Sequence, residues 1–244
     1  MTESLESEFS QDILKMLETG TSNDVTIILK DGEIKCNKEI LIARCPYFAT
    51  MLSNNRFVEA QTNTVKMMNV EKKSMDIVVR YIFSGKISAP RSIPSTVKLL
   101  DLLRIMCLEK AFASLAPELE QKINRLDASF QRREQEERGG TCSVLAVLPM
   151  FQELKLDEFY DKYLLVICNN FKAIMTRECE RIVFKKMSFE FIKDIIEHPV
   201  GGLPEKSKAF KLWYDFNKNT VDDAVRTEIL YFHLEYVNKE LETM

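Results

Sequence analysis

The sequence predicts an α+β protein with a small β-sheet surrounded by helices in its N-terminal half and an all-helical C-terminal half. An alternating strand follows Asp24 and turns back at Asp31-Gly32. This dipeptide between alternating runs is a strong hairpin signal, because the tight turn needs positive φ at both central residues. Residues 64–68 read as a further strand, whereas apolar residues recur at helical spacing from Thr141 onward. Strands confined to one half favour α+β over a doubly wound α/β fold.

The N-terminal segment predicts an amphipathic helix. Leu5, Phe9, Ile13 and Leu17 recur at intervals of four, and Gly20 follows where a helix C-cap is expected. The apolar stripe precedes the globular pattern, so this helix must either fold back on its own domain or bind a partner.

Helices alternate with turns after the hairpin. Residues 38–52 predict two short helices, residues 71–83 a longer helix that Gly85 stops, and Ser95 the N-cap of the next. The run 108–123 predicts one more helix, interrupted or restarted near Pro117.

The composition changes between residues 124 and 140, where charges of both signs crowd a stretch with few apolar residues. Such a stretch buries little, so we interpret it as an exposed helix end and a Gly-Gly linker. The predicted organisation is therefore an N-terminal helix at 1–21, a domain at 22–123, a charged linker at 124–140 and a helical domain at 141–244.

Composition argues against several classes of function. A formal charge of −3 and a pI near 5.7 remove the main driving force for nucleic-acid binding. The acidic start is unlike a secretory signal and no run is long enough for a membrane span, which favours a cytoplasmic or nuclear protein without membrane contact.

The sequence contains few residue patterns of the kind that form disulfides, bind metals or cofactors, or carry out catalysis. The six cysteines are scattered without a CxxC pair and only two histidines occur, so we predict neither disulfides nor a metal site. With seven glycines and no phosphate-cradling loop we expect no cofactor. No Ser-His-Asp or Gly-x-Ser-x-Gly arrangement is present, and we expect a protein-binding module rather than an enzyme.

The first half of the chain resembles the BTB/POZ family. The matching residues are Asp24-Val25-Thr26, Lys38, Ile40-Leu41, Ala43-Arg44, Cys45-Pro46-Tyr47-Phe48, Met51-Leu52, Val65-Lys66-Met67, Met75 to Phe83 and Ser84-Gly85-Lys86-Ile87. One departure is that Cys36-Asn37 stand where the family usually has Ala-His.

This resemblance implies a homodimer. In the family the N-terminal helix packs across a two-fold interface, which here would use Leu5, Phe9, Ile13 and Leu17. The family's acidic and basic positions beneath that interface correspond to Asp24 and Lys38. The alternatives are a helix that packs within its own chain, an Asp24 that only caps a turn and a solvated Lys38.

The second half resembles the BACK domain, the helical bundle that commonly follows BTB domains. The matching features are the run 154–173, the segment 187–192 and a Phe-x-x-Trp at Phe210 and Trp213. We expect Phe171, Phe191 and Trp213 to be core residues, as aromatics at helical spacing usually are.

BTB-BACK proteins frequently join a substrate to a cullin scaffold of a ubiquitin ligase. The family's apolar-x-Glu loop corresponds to Phe57-Val58-Glu59 in this sequence. The resemblance therefore implies a homodimeric substrate adaptor with a cullin partner and an unknown protein substrate. The alternatives are a self-associating scaffold or a transcriptional or signalling cofactor without a ubiquitin role, or a stand-alone pair that competes with full-length adaptors.

Overall fold

The computed structural model describes residues 2–20, 22–131, 143–220 and 226–232, with residues 2–10 described by their backbone only. The chain divides into two compact units, residues 1–119 and residues 120–244. The first unit is α+β. The described part of the second is helical, as the sequence predicts.

A three-stranded sheet lies in the first unit. Its strands are β1 (Val25–Leu29), β2 (Gly32–Cys36) and β3 (Thr64–Met67), in the order β2-β1-β3. Strand β1 pairs antiparallel with β2 and parallel with β3. Alternate β1 residues, Val25, Ile27 and Leu29, are buried, which fixes the face that the sheet turns to the core.

The hairpin turn differs from the prediction by one position. Lys30 and Asp31 form the turn without positive φ, and Gly32 at φ 152° already begins β2. The turn is held from outside the hairpin: the Lys30 N–H donates to the Val70 carbonyl at 3.0 Å, and the Lys72 N–H donates to the Asp31 carboxylate at 2.6 Å. These long-range bonds hold a turn that does not need the positive φ at both central residues of a tight Asp-Gly turn.

Seven helices of the described chain begin in the first unit. They are α1 (Thr2–Thr19), α2 (Lys38–Arg44), α3 (Pro46–Ser53), α4 (Val58–Thr62), α5 (Lys72–Ser84), α6 (Ile93–Ile105) and α7 (Glu109–Gln131). The predicted stripe of α5 is buried, and Gly85 ends α5 in the left-handed region at φ 74°.

Two helix predictions are corrected by the structure. The N-cap of α6 is Ser92 and not Ser95, because Pro94 fits the first turn of a helix and lets it begin earlier. Helix α7 runs through Pro117 without interruption. Pro117 and Ala113, whose carbonyl loses its intrahelical donor, are both exposed, so water can satisfy that carbonyl.

The second unit begins inside α7 and continues with a short 3₁₀ turn and six helices. These are the 3₁₀ turn (Leu145–Val147), α8 (Leu148–Glu153), α9 (Asp157–Asn169), α10 (Phe171–Met175), α11 (Glu178–Lys186), α12 (Phe189–Glu197) and α13 (Leu203–Asn217), with a further helical segment at 226–232. The predicted linker at 124–140 starts within α7, and residues 132–142 lie outside the described chain.

An aromatic core holds the second unit together. Phe171, Phe191 and Trp213 are buried, as predicted. Trp213 stacks with Phe210 at 6.2 Å between ring centroids, and its indole Nε1–H donates to the Met187 carbonyl at 2.9 Å. The indole is therefore both packed and hydrogen-bonded.

A buried carboxylate fixes the 3₁₀ turn to α11. Glu180, 2% exposed, accepts hydrogen bonds from the N–H groups of Val144 at 2.8 Å and Leu145 at 3.2 Å, and from the Ser143 hydroxyl. The Tyr163 hydroxyl donates to the Val144 carbonyl at 2.9 Å from α9. These bonds satisfy groups at the start of the turn that no helix bond could reach.

Candidate protein-binding surface

The segment between α3 and α4 has a defined backbone. The Asn54 side chain accepts a hydrogen bond from the Arg56 N–H at 3.0 Å, and the Asn54 carbonyl accepts one from the Phe57 N–H at 2.9 Å. Phe57 then serves as the N-cap residue of α4, which ends at Asn63 in the left-handed region. This path presents Phe57 and Val58 at the first turn of a short helix.

Two apolar side chains of this segment are unusually exposed. Phe57 is 37% exposed and Val58 is 66% exposed, whereas Ala60 in the same helix is buried. Glu59, which follows Val58 in the chain, is half-buried. Burial, and then the nearby Glu59 carboxylate, raise the pKa of the Tyr47 hydroxyl. An exposed aromatic beside a carboxylate combines an apolar anchor with a charged hydrogen-bond acceptor, which suits protein recognition.

Asp24 and Lys38 meet through the backbone rather than as an ion pair. The Lys38 N–H donates to the Asp24 carboxylate at 2.7 Å, while the Lys38 Nζ donates to the Asn63 side-chain oxygen at 2.8 Å. Asp24 is exposed and Lys38 is half-buried. Within the single chain, Asp24 thus binds the backbone at the start of α2, and the Lys38 side chain connects α2 to the C-cap residue of α4. Their place in a dimer interface stays a prediction.

The Cys36-Asn37 departure from the family pattern has a structural role that the sequence reasoning missed. Asn37 is the N-cap of α2: its side-chain oxygen accepts from the Ile40 N–H at 3.0 Å, and its amide nitrogen donates to the Ser22 carbonyl at 3.1 Å. Cys36 is fully buried at the end of β2. Burial, and then the Asp24 charge, raise the pKa of the Cys36 thiol to about 12. Asn three positions before Ile40 was the available signal for a cap.

Helix α1 packs against α5 of its own chain. Ile13 and Leu17 are half-buried, and the Glu18 carboxylate pairs with Arg80 at 3.1 Å. Leu5 and Phe9 belong to residues 2–10, of which only the backbone is described. Within the single chain α1 therefore lies on its own domain, and its place in a two-fold interface stays a prediction.

The described residues form neither a metal site nor a membrane span. No three or more His, Cys, Asp or Glu side chains of those residues come together as a possible metal site. Among the helices described, none is both long and apolar enough to cross a membrane.

The family model of the BTB/POZ domain matches residues 13–118. The chain therefore contains a BTB/POZ domain, and this match covers the sheet, most of the helices of the first unit and the Phe57-Val58-Glu59 segment. BTB/POZ domains are protein-protein interaction modules and are in general non-catalytic.

Known relatives share this domain. Rho-related BTB domain-containing protein 1 of Mus musculus is 27% identical over 165 residues, which is 68% of this chain and 22% of the relative. Kelch repeat and BTB domain-containing protein 6 of Homo sapiens is 30% identical over 80 residues, 32% of this chain and 12% of the relative. The chain thus spans about a fifth or less of the length of these relatives. A stretch of 165 residues is longer than either compact unit, so the first similarity includes residues of both.

A solved structure also matches. The BTB domain of human Gigaxonin is 22% identical, with a TM-score of 0.37, and the match covers 46% of this chain and 87% of that domain.

Proposed function

We propose that this protein is a homodimeric, non-catalytic substrate adaptor of a cullin-RING ubiquitin ligase. The observation that carries the proposal is the exposure of Phe57 and Val58 beside Glu59 within a BTB/POZ domain. The similarity to a relative whose name joins Kelch repeats to a BTB domain supports it. In this proposal the BTB/POZ domain binds the cullin and the second unit, which we propose to be a BACK-like domain, contributes to substrate binding.

The local chemistry supports a defined docking mode. Phe57 fills an apolar pocket on the cullin, Val58 extends the apolar contact and the Glu59 carboxylate accepts a charge-assisted hydrogen bond. Because Ala60 is buried and Asn54 holds the preceding turn, the backbone of this segment is largely pre-organised. Pre-organisation lowers the entropy lost on binding.

Cullin binding is tested by affinity capture of a panel of purified cullin N-terminal domains. We expect the wild-type protein to retain one of them, and the double variant Phe57→Ala with Glu59→Lys to lose it. A matched control is Phe216→Ala with Asp215→Lys, which changes another exposed aromatic, 53% exposed, and a neighbouring carboxylate in the second unit. If no cullin is retained, or if the Phe57/Glu59 variant binds as well as the control, the adaptor function is wrong.

Dimerisation is tested separately. The proposed interface uses Leu5, Phe9, Ile13 and Leu17, together with Asp24 and Lys38 beneath it. Replacing Leu5, Phe9 and Ile13 by Asp should convert a dimer at micromolar concentration into a monomer in sedimentation velocity. A dimer that survives this change would place the interface elsewhere. A dimer that binds no cullin would favour the scaffold or cofactor function.

A further inference from the structure

A surface cavity of about 250 Å³ lies in the second unit, between the 3₁₀ turn with α8 on one side and the junction of α11 and α12 on the other. Its lining is mostly apolar, and includes Ala146, Pro149, Val183, Met187 and Phe191 with the charged Lys186. We call this feature the α11 groove.

The walls of the α11 groove are held in place by hydrogen bonds to its surroundings. Glu180 binds the N–H groups at the start of the 3₁₀ turn, so this wall is fixed to α11. The Met187 carbonyl at the α11–α12 junction accepts from the Trp213 indole at 2.9 Å. A groove between fixed walls is available before any partner arrives, which favours binding.

Size and charge decide what fits. About 250 Å³ lies below the range of roughly 300–1,000 Å³ of small-molecule and cofactor sites, but suits one aliphatic or aromatic side chain. Lys186 is exposed at the edge and forms no ion pair with any residue of the described chain. Ile182, one turn earlier on the same flank of α11, is 50% exposed. The groove is therefore an apolar cavity with the cationic Lys186 and the exposed apolar side chain of Ile182 beside it.

We propose that the α11 groove binds an acidic-apolar segment of a partner protein, with one large apolar side chain in the cavity and a nearby carboxylate paired with Lys186. Charge complementarity with Lys186 selects this occupant over a basic or a purely apolar segment. This inference rests on the proposed adaptor function and names the chemistry of the substrate that the second unit would recognise.

A displayed library of random twelve-residue peptides, selected on the intact purified protein, tests the groove. We expect enriched peptides to carry a Leu, Ile or Phe with an Asp or Glu within a few residues. Ala146→Trp fills the mouth of the groove from an exposed position, and should weaken the best peptide by more than about tenfold, because its anchor loses the cavity. Lys186→Glu should weaken it about tenfold and should shift a repeated selection toward Lys or Arg.

Lys211→Glu is the matched control, since Lys211 is also an exposed lysine of the second unit but does not line the groove. The proposal is wrong if the selection enriches no acidic-apolar pattern, or if the enriched peptides bind Ala146→Trp as tightly as the wild-type protein. It is also wrong if Lys186→Glu changes peptide binding no more than Lys211→Glu does. Self-assembly of the protein that Lys186→Glu abolishes would assign the groove to a second copy and would also overturn the proposal. The Phe57/Glu59 variant should select the same peptides, so loss of cullin binding and loss of groove binding are separate outcomes.

Discussion

Removal of the buried Glu180 carboxylate should destabilise the second unit severely. In Glu180→Ala the N–H groups of Val144 and Leu145, both buried residues, lose their acceptor, while the half-buried Ser143 hydroxyl can turn to water. Each orphaned buried donor costs about 1–3 kcal/mol, so we expect a loss of about 4 kcal/mol. Glu180→Gln keeps one acceptor oxygen and should lose about 2 kcal/mol.

The single tryptophan of the chain makes this measurement specific. Trp213 is buried in the second unit, so its fluorescence in a urea titration reports the unfolding of that unit. The control is Glu178→Ala, an exposed acid in the first turn of α11, which should cost less than about 1 kcal/mol. If the Trp213 midpoint of Glu180→Ala matched that of Glu178→Ala, the role of Glu180 as a structural acceptor would be wrong.

Three further predictions concern the first unit. Exposed Cys107 should be alkylated by iodoacetamide well before buried Cys36, as mass spectrometry of timed samples would show; equal rates would contradict the burial of Cys36. Folding raises the pKa of the Cys36 thiol from 9.0 to about 12, so the unfolded state binds fewer protons than the folded state between these pH values. The free energy of unfolding should therefore fall as the pH rises from 9.0 to about 12. Cys36→Ala should flatten this part of the curve of unfolding free energy against pH. Asn37→Ala should cost about 1 kcal/mol in urea unfolding followed by circular dichroism, whereas Asn37→Asp, which keeps the cap acceptor, should cost less; equal losses would refute the capping role.

Local patterns predicted much of this fold. The periodic stripe of α5, the alternating β1 and the buried aromatics of the second unit follow from side-chain spacing alone, since burial selects that spacing. The similarity of the Phe57 segment to a family motif also led to residues that the structure exposes.

The remaining features depend on contacts between residues distant in sequence. The hairpin turn moved by one residue because the Lys30 N–H donates to the Val70 carbonyl and the Asp31 carboxylate accepts from the Lys72 N–H. Glu180 reaches back 36 residues to cap the 3₁₀ turn, and the α11 groove needs two helix pairs to exist before it has walls. A charged residue such as Glu180 reads as solvated until its buried donors are known.

The mass of the complex with a cullin N-terminal domain tests the central claim most directly. We expect sedimentation equilibrium of the purified components to give two copies of this chain with two of the cullin domain, because each protomer presents its own Phe57-Val58-Glu59 segment. The Phe57→Ala with Glu59→Lys variant should give the mass of the dimer alone. A wild-type protein that forms no complex with any cullin domain, or a variant that still forms the full complex, would contradict the account.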